Sequence, residues 1–341
     1  MRIALDGTLF GRPTTGISLY AKCLMRALRE LGADVEPWSQ SKGRSASLFA
    51  LRDVPRRIEE ERPDVFHAVC NFNLPLTRAP GTRFVLTVHD LIPLLLPDTV
   101  SSAYRWQFRL WLARSLRVAD AVICVSETTR RALLERFEVP CPVHVVHHGV
   151  DHVDRVPAPD AISVKWLDAL GLQDFVLYAG ALDARKNVEL AVDACVQLGA
   201  TLVLAGQRWF GGSAIEKKIE RERERGADIR HLGYLEDSVF YALMRRARCF
   251  VFPSRYEGFG LPPLEAMRLG VPTIVSTAGA LPEVCGDGAV QVPPDDAGAL
   301  ARAIAEADAR LGERGRARAA GFQWAKCARA TLDAYAADRS R

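Results

Sequence analysis

Short apolar runs alternate with segments of helical periodicity along most of the chain. The runs are nearly all apolar, which is typical of parallel strands buried on both faces. The predicted strands are Arg2–Leu5, Val65–Val69, Phe84–Val88, Ala121–Val125, Val143–Val146, Phe175–Ala179, Thr201–Ala205, Ile229–Leu232, Cys249–Phe252, Thr273–Val275 and Ala289–Val292. The predicted helices between them include Ile17–Leu31, Thr128–Phe137, Val188–Leu198, Glu216–Arg225, Asp237–Arg246, Pro262–Leu269 and Ala297–Leu311. This alternation predicts an α/β protein.

One segment, Asp151–Asp174, interrupts the alternation, because it contains two prolines and has weak periodicity. A βα series on each side of it predicts two doubly wound α/β domains. We expect the first to span residues 1–155, the second residues 156–320, and a last segment residues 321–341. Ligands of such sheets bind beyond the carboxyl ends of the strands, so we expect the site in a cleft between the domains.

Composition narrows the class of protein. Among 341 residues the formal net charge is only +4, which is too weak to indicate a nucleic-acid binder. The eight cysteines form no CxxC pair and several lie in apolar stretches, so we expect buried thiols in a reducing cytoplasm. The chain starts directly with a predicted strand, and no apolar run approaches the ~20 residues of a spanning helix, so we expect neither signal peptide nor membrane span.

The stretch after the predicted strand Cys249–Phe252 carries the most chemistry. Pro262 can occupy the first position of a helix, which would then run to Gly270, a natural C-terminal stop. Backbone amides at a helix start, together with the helix dipole, form an anion site that suits a phosphate. The amides expected there are those of Phe259, Gly260 and Leu261.

Two glutamates flank this predicted phosphate site, with Glu257 in the loop before the helix and Glu265 about one turn inside it. Carboxylates accept hydrogen bonds from hydroxyls, so one could hold a sugar and the other a ribose. The alternative is a loop rich in turn residues, in which Glu265 is an ordinary first-turn acid favoured by the helix dipole.

Glu257 and Glu265, with seven residues between them, resemble the E-x7-E signature of retaining GT-B glycosyltransferases, specifically of glycosyltransferase family four. Other segments resemble landmarks of the same family. They are Thr15-Gly16-Ile17 with Tyr20, Val88-His89-Asp90, Val125–Arg130, His148–Asp151, Tyr178-Ala179-Gly180, Arg185-Lys186-Asn187 and Phe322-Gln323-Trp324. The resemblance implies two Rossmann-like domains facing an inter-domain cleft. The N-terminal domain would bind the acceptor and the C-terminal one the nucleotide-sugar, and the last helix would cross back to the N-terminal domain.

The resemblance also implies roles for residues of the second half. Arg185 and Lys186 would neutralise the diphosphate leaving group, as such cationic clamps do. Many relatives carry an arginine directly after the glycine, where this chain has Ala181, and Arg185 would supply that charge instead. Glu257 would bind hydroxyls of the donor sugar and Glu265 the nucleotide ribose. Without the resemblance, two exposed basic residues in a βα loop would be the favoured explanation of Arg185 and Lys186.

In the first half, the resemblance implies that the amide of Gly16 approaches the donor phosphate. It implies that His89, at the end of a buried strand, donates a hydrogen bond to a sugar hydroxyl near the reacting carbon. Asp90 would orient that ring or cap the turn. Ser126 and Arg130 stand at a helix start, where capping and surface charge explain them as well as a functional role does.

Together these features predict an enzyme that transfers a hexose from a nucleotide diphosphate sugar, with GDP-mannose as the first candidate. The acceptor would be a hydroxyl of a saccharide or lipid-linked saccharide. No spaced metal-ligand cluster is evident, so we expect no metal or other cofactor. The family's favoured picture is front-face attack with retention, in which a donor phosphate oxygen takes the acceptor proton.

Two other functions are also compatible with these residues. A GT-B-fold nucleotide-sugar epimerase and a non-catalytic sugar-nucleotide-binding subunit are alternatives, whereas a hydride-transfer enzyme is disfavoured because no GxGxxG pattern opens either domain. The segment Tyr104–Arg117 has four arginines, two tryptophans and no acid. It predicts either a packed domain helix or peripheral contact with anionic lipid at the inner face of the membrane.

Overall fold

The computed structural model describes residues 1–10, 16–39, 49–71, 73–207 and 212–337. The chain forms two compact units, of which the first comprises Met1–Gly149 with Phe322–Arg341 and the second Val150–Gly321. The first unit thus ends at Gly149, whereas the sequence placed its end at residue 155. The difference arises because the short 3-10 helix Asp151–Arg155 contacts residues of the second unit.

The first unit contains one parallel sheet of six strands in the order β2-β1-β3-β4-β5-β6. The strands are β1 Arg2–Asp6, β2 Asp34–Trp38, β3 Val65–Ala68, β4 Arg83–Val88, β5 Ala121–Cys124 and β6 Val143–Val145. The helices are α1 Gly16–Glu30, α2 Val54–Glu61, α3 Ile92–Leu95, α4 Ser102–Val118, α5 Glu127–Leu134 and, from the end of the chain, α14 Trp324–Ala336. Five of these strands were predicted, whereas β2 was missed.

Strand β2 was missed because it contains Pro37, which lacks a backbone N–H. A proline is tolerated at a sheet edge, and β2 is the first strand in the order. Its buried residues, Val35 and Trp38, belong to the hydrophobic core. The strand can therefore be recognised from the packing of its side chains but not from its composition.

The second unit contains another parallel sheet of six strands, in the order β12-β11-β10-β7-β8-β9. The strands are β7 Val176–Ala179, β8 Leu202–Ala205, β9 Ile229–Gly233, β10 Cys249–Phe252, β11 Thr273–Ser276 and β12 Val290–Val292. The helices are α6 Ala161–Ala169, α7 Val188–Leu198, α8 Gly212–Glu224, α9 Asp237–Arg246, α10 Leu261–Arg268, α11 Leu281–Cys285, α12 Ala297–Glu306 and α13 Ala309–Ala319. The strand order reverses between β7 and β10, which is where doubly wound sheets bind ligands. The predicted α/β fold of two doubly wound sheets is confirmed.

The prediction of one helix over Ala297–Leu311 was wrong. The backbone at Ala307 is extended, and Asp308 begins a new helix, because its Oδ1 accepts a hydrogen bond from the N–H of Leu311 at 3.0 Å. An aspartate three residues before a free N–H is a strong N-cap. Apolar periodicity alone does not register such a break.

Helix α14 belongs to the first unit through two aromatic residues, Trp324 and Tyr335, which are both 2% exposed. A Cβ at Gly149 would lie only 2.2 Å from the backbone N of Trp324, so only glycine fits this position. The Tyr335 hydroxyl lies 2.7 Å from Nδ1 of His67, and Nε2 of His67 lies 2.7 Å from the hydroxyl of Thr87. These contacts fix α14 to the first sheet.

The buried ring of His67 should make the first unit sensitive to acid. Burial, with a smaller contribution from His89, lowers the pKa of His67 to about 3, whereas an unfolded histidine titrates near pH 6.5. The unfolded chain therefore binds more protons between these values, and stability should fall as pH drops from 6.5, by up to about 1.4 kcal/mol per pH unit for one histidine. Urea unfolding at several pH values should show a shallower dependence for His67→Gln. An unchanged pH dependence would contradict this explanation.

Candidate active site

The predicted cations lie at the point where the strand order of the second sheet reverses. Arg185 and Lys186 end a 3-10 turn that follows β7, and the Asp183 side chain caps this turn by accepting from the N–H of Lys186 at 2.9 Å. Asn187 adopts a left-handed conformation, and its Nδ2 donates to the carbonyl oxygens of Pro253 and Pro294. The turn is therefore tied to the loops that follow β10 and β12.

Glu257, in the loop after β10, joins both cations. Its Oε1 accepts hydrogen bonds from Nη1 of Arg185 and from Nζ of Lys186, each at 2.8 Å. The side chains of Arg185, Lys186 and Glu257 are only 18%, 13% and 11% exposed. Nζ of Lys186 also lies 4.7 Å from the ring centroid of Phe252. Two nearly buried cations thus share one carboxylate oxygen.

The charges of this cluster set its pKa values. Burial would raise the pKa of the Glu257 carboxyl, but Lys186 and Arg185 outweigh it and hold that pKa below its ordinary value. Burial also lowers the pKa of the Lys186 ammonium, although Glu257 opposes this, and Arg185 adds to the lowering. Additional negative charge at this place would favour the protonated lysine. The cluster is therefore suited to receive an anion.

The backbone of Glu257 is held by a glycine of another loop. A Cβ at Gly279, whose φ is +61°, would come within 2.4 Å of the carbonyl oxygen of Glu257 and 2.6 Å of its nitrogen. The same carbonyl accepts from the N–H of Ala280 at 2.9 Å. This close approach requires glycine and fixes the position of the carboxylate-bearing residue.

The predicted helix start is present with a shift of one residue. Helix α10 begins at Leu261, so Pro262 is its second residue, and Gly260 precedes it with a φ of +101°. Phe259 and Leu261 are buried. Gly270 has a φ of +75° just after the helix, as a C-terminal stop requires. Arg185, Lys186 and Glu257 thus lie at the same sheet end as this helix start.

Glu265 lies one turn into α10 and has a partner that the sequence did not reveal. Its Oε1 lies 3.0 Å from Nε2 of His152, and both side chains are nearly buried. The hydroxyl of Tyr241 lies 3.3 Å from the same nitrogen. His152 directly follows the segment His148–Asp151 that carried part of the family resemblance. Its position in a linker of weak periodicity gave no further signal.

His89 lies in the first unit and directly follows β4. Its Nε2 lies 2.7 Å from the carbonyl oxygen of Val69, and its backbone N–H donates to the Asn71 side chain. Burial lowers the pKa of His89 to about 4, so the ring is neutral at pH 7. Because a carbonyl only accepts, the ring proton resides on Nε2, which leaves Nδ1 as an acceptor. The neutral ring in this arrangement can accept a hydrogen bond at Nδ1, while its one N–H is directed to the Val69 carbonyl.

The remaining candidates of the first unit have local structural roles. Ser126 caps α5, because its Oγ accepts from the N–H of Thr129 at 3.0 Å. Asp90 accepts from the N–H of Ile92 at 3.1 Å, and Arg130 pairs with Glu127 at 2.9 Å. These contacts match the capping and surface-charge interpretations.

The first loop is only partly described. Gly16 is the first residue of α1 and is exposed, and a Cβ there would meet no atom within 4 Å. Thr15 lies outside the described residues. Tyr20, from the same resemblance, is buried with its ring 4.9 Å from that of His89. The structure thus places α1 beside His89.

Residues 1–10, 16–39, 49–71, 73–207 and 212–337 contain no group of three or more His, Cys, Asp or Glu side chains that could hold a metal ion. In the same part of the chain, no helix has the length and apolar character needed to cross a bilayer.

Family profiles cover most of the chain. Residues 169–321 match the profile of "Glycosyl transferases group 1", and residues 24–154 match that of "Glycosyltransferase Family 4". The chain is 32% identical to "O-antigen chain mannosyltransferase B" of Escherichia coli, over 84% of this chain and 76% of that protein. It is 27% identical to "Serotype-specific mannosyltransferase WbdA" of Escherichia coli, over 86% of this chain but only 39% of that protein.

Solved structures show the same fold. A sucrose-phosphate synthase from Thermosynechococcus elongatus superimposes with a TM-score of 0.77 at 22% identity, covering 98% of each chain. Anabaena Alr3699/HepE, solved in complex with UDP-glucose, superimposes with a TM-score of 0.73 at 20% identity, covering 97% of this chain and 98% of that one. These likenesses concern the fold.

Proposed function

This chain belongs to glycosyltransferase family 4, and we propose that it transfers a mannosyl residue from GDP-mannose to a saccharide hydroxyl with retention of configuration. The observation that carries the proposal is the cluster of Arg185, Lys186 and Glu257 at the point where the strand order reverses. The mannosyltransferase relative at 32% identity supports the choice of sugar.

The cluster suits a diphosphate joined to a sugar. Both cations contact Oε1 of Glu257, so the second carboxylate oxygen is not used by them and can accept from a sugar hydroxyl. Arg185 and Lys186 then face the phosphates and offset the charge that develops on the leaving group. The helix start at Gly260 and Leu261 adds backbone amides and the positive end of a dipole. Phe259 precedes this turn and completes the proposed phosphate loop.

We propose that the reaction is a front-face displacement. The acceptor hydroxyl attacks from the side of the departing phosphate, and a phosphate oxygen of the donor takes its proton. The family resemblance supports two further roles, in which Nδ1 of the neutral His89 ring would accept from a sugar hydroxyl and the Gly16 amide would contact the donor phosphate. Because two side-chain cations already face the leaving group, we propose that transfer needs no metal and continues in excess EDTA.

A screen of nucleotides and products tests this function. GDP should raise the melting temperature more than UDP, ADP or dTDP, because only a bound nucleotide stabilises the folded state. GDP-mannose with an acceptor saccharide should yield an α-mannoside, identified by the anomeric NMR signals. A rise in melting temperature with UDP and not with GDP would indicate that the donor is a UDP-sugar. Conversion of the donor into a different nucleotide sugar in the absence of an acceptor would contradict transfer and indicate an epimerase.

The acceptor is proposed to be lipid-linked, with the protein peripheral at the cytoplasmic face of the membrane. Helix α4 packs one face into the first unit through Phe108, Leu112 and Leu116. Its opposite face exposes Trp106 at 61% and Leu110 at 64%, one helical turn apart. The helix carries arginines 105, 109, 114 and 117 and no acid. Exposed aromatic and aliphatic groups among arginines suit the interface of an anionic bilayer.

This helix should bind vesicles through charge and apolar contact together. The protein should co-sediment with phosphatidylglycerol-containing vesicles more than with pure phosphatidylcholine, and Trp106→Ser with Leu110→Ser should weaken binding at least about tenfold. The matched control is Ile162→Ser with Trp166→Ser, an exposed pair on α6 that has acidic neighbours. Equal effects of the two double variants would contradict the assignment of α4.

A further inference from the structure

The short helix Asp151–Arg155 meets α10 through two separate contacts. The first joins His152 to Glu265, between Nε2 and Oε1 at 3.0 Å. The second joins Asp154 to Arg268, between Oδ2 and Nε at 3.1 Å. The first contact is nearly buried, whereas the second is part-exposed. The two contacts link the same elements but only one of them touches a predicted ligand-binding residue.

We propose that His152 is a positioning residue that fixes the Glu265 carboxylate for the ribose of the nucleotide. This role rests on the proposed function, and it takes Glu265 as the ribose partner that the family resemblance implies. A carboxylate accepts, so Nε2 of His152 donates to Oε1. Among the described residues, Oε2 of Glu265 has no hydrogen-bond partner, so that oxygen is left to receive ribose hydroxyls.

The energetic benefit of this contact is that it orients the nearly buried Glu265 side chain before the ligand binds. A glutamate side chain has three rotatable bonds, and holding it in one rotamer costs entropy when a ligand arrives. His152 meets this cost before binding, and the hydroxyl oxygen of Tyr241, 3.3 Å from the same Nε2, can share that N–H as a second acceptor. His152 therefore sets how strongly the protein distinguishes a ribonucleotide from a deoxynucleotide, while making no ligand contact itself.

The test compares GDP with 2′,3′-dideoxy-GDP by calorimetry. Unaltered protein should bind GDP at least about tenfold more tightly, since hydrogen bonds to a charged acceptor are worth that factor or more. His152→Phe should bind the dideoxy nucleotide as tightly as the unaltered protein does. Its affinity for GDP should fall to nearly the same value. His152→Gln retains an N–H donor and should keep most of the preference. If His152→Phe does not fold, His152→Asn takes its place in the experiment. Its side chain is too short to reach Glu265, so the preference for GDP should be lost in the same way.

The second contact supplies the matched control. Asp154→Asn weakens the pairing with Arg268 and leaves Glu265 untouched, so the ratio of the two affinities should stay at the unaltered value. An unchanged ratio in His152→Phe, or an equal loss in Asp154→Asn, would overturn the positioning role alone. Failure of the unaltered protein to bind any nucleoside diphosphate would instead overturn the proposed function and this role with it.

Discussion

Replacing Glu257 with alanine should lower the rate of sugar transfer at least about 100-fold and leave nucleoside diphosphate affinity unchanged or tighter. The loss is expected because the proposed hydrogen bond to the sugar, which would act in the transition state, is removed. The gain follows because Glu257 competes with phosphate for Arg185 and Lys186, whose groups both lie 2.8 Å from its Oε1. Steady-state kinetics and nucleotide titration measure the two effects separately.

The effect of Glu257→Ala on folding stability must be separated from its effect on function. Removing one partner of a buried ion pair costs about 3–5 kcal/mol of folding stability, so thermal unfolding of Glu257→Ala is recorded with and without nucleotide. Glu257→Gln keeps the side-chain volume and should show the same division of effects. Asp193→Ala removes the acid of an exposed pair with Lys218 and should leave both quantities unchanged. Transfer at the unaltered rate in Glu257→Ala would refute its sugar-holding role.

Replacing Lys186 with methionine should weaken nucleoside diphosphate binding by about 10- to 100-fold, because a charge-assisted contact to phosphate is lost. Methionine keeps the apolar stem against the Phe252 ring, so lost packing contributes little. Titration of the variant with GDP provides the number. Lys218→Met, at another lysine paired with a carboxylate, is the control and should bind GDP normally. Equal GDP affinity in the two variants would show that Lys186 does not face the phosphates.

The architecture follows from the sequence because buried parallel strands need nearly continuous apolar runs. The C-terminal stop of α10 at Gly270 could also be predicted, because it depends on a single local residue. Strand β2 escaped because its proline is acceptable only at a sheet edge, and edge position depends on the whole topology. The break at Asp308 escaped because a single cap overrides apolar periodicity.

The candidate site was predictable as residues but not as an arrangement. Glu257, Arg185 and Lys186 were named from the family resemblance, yet nothing in their spacing predicts that both cations share one carboxylate oxygen 71 and 72 residues away. The contact between His152 and Glu265 spans 113 residues and depends on how the linker folds. The direction of the His89 hydrogen bond likewise depends on the Val69 carbonyl, which the sequence does not place.

The proposed phosphate site of the second unit is tested most directly by calorimetric titration of the unaltered protein with GDP, GMP and guanosine. If Arg185, Lys186 and the start of α10 hold a diphosphate, affinity should fall at least about tenfold on removal of the outer phosphate and further on removal of the inner one. Equal affinities for GDP and GMP would contradict the account, because the two cations would then bind no second phosphate.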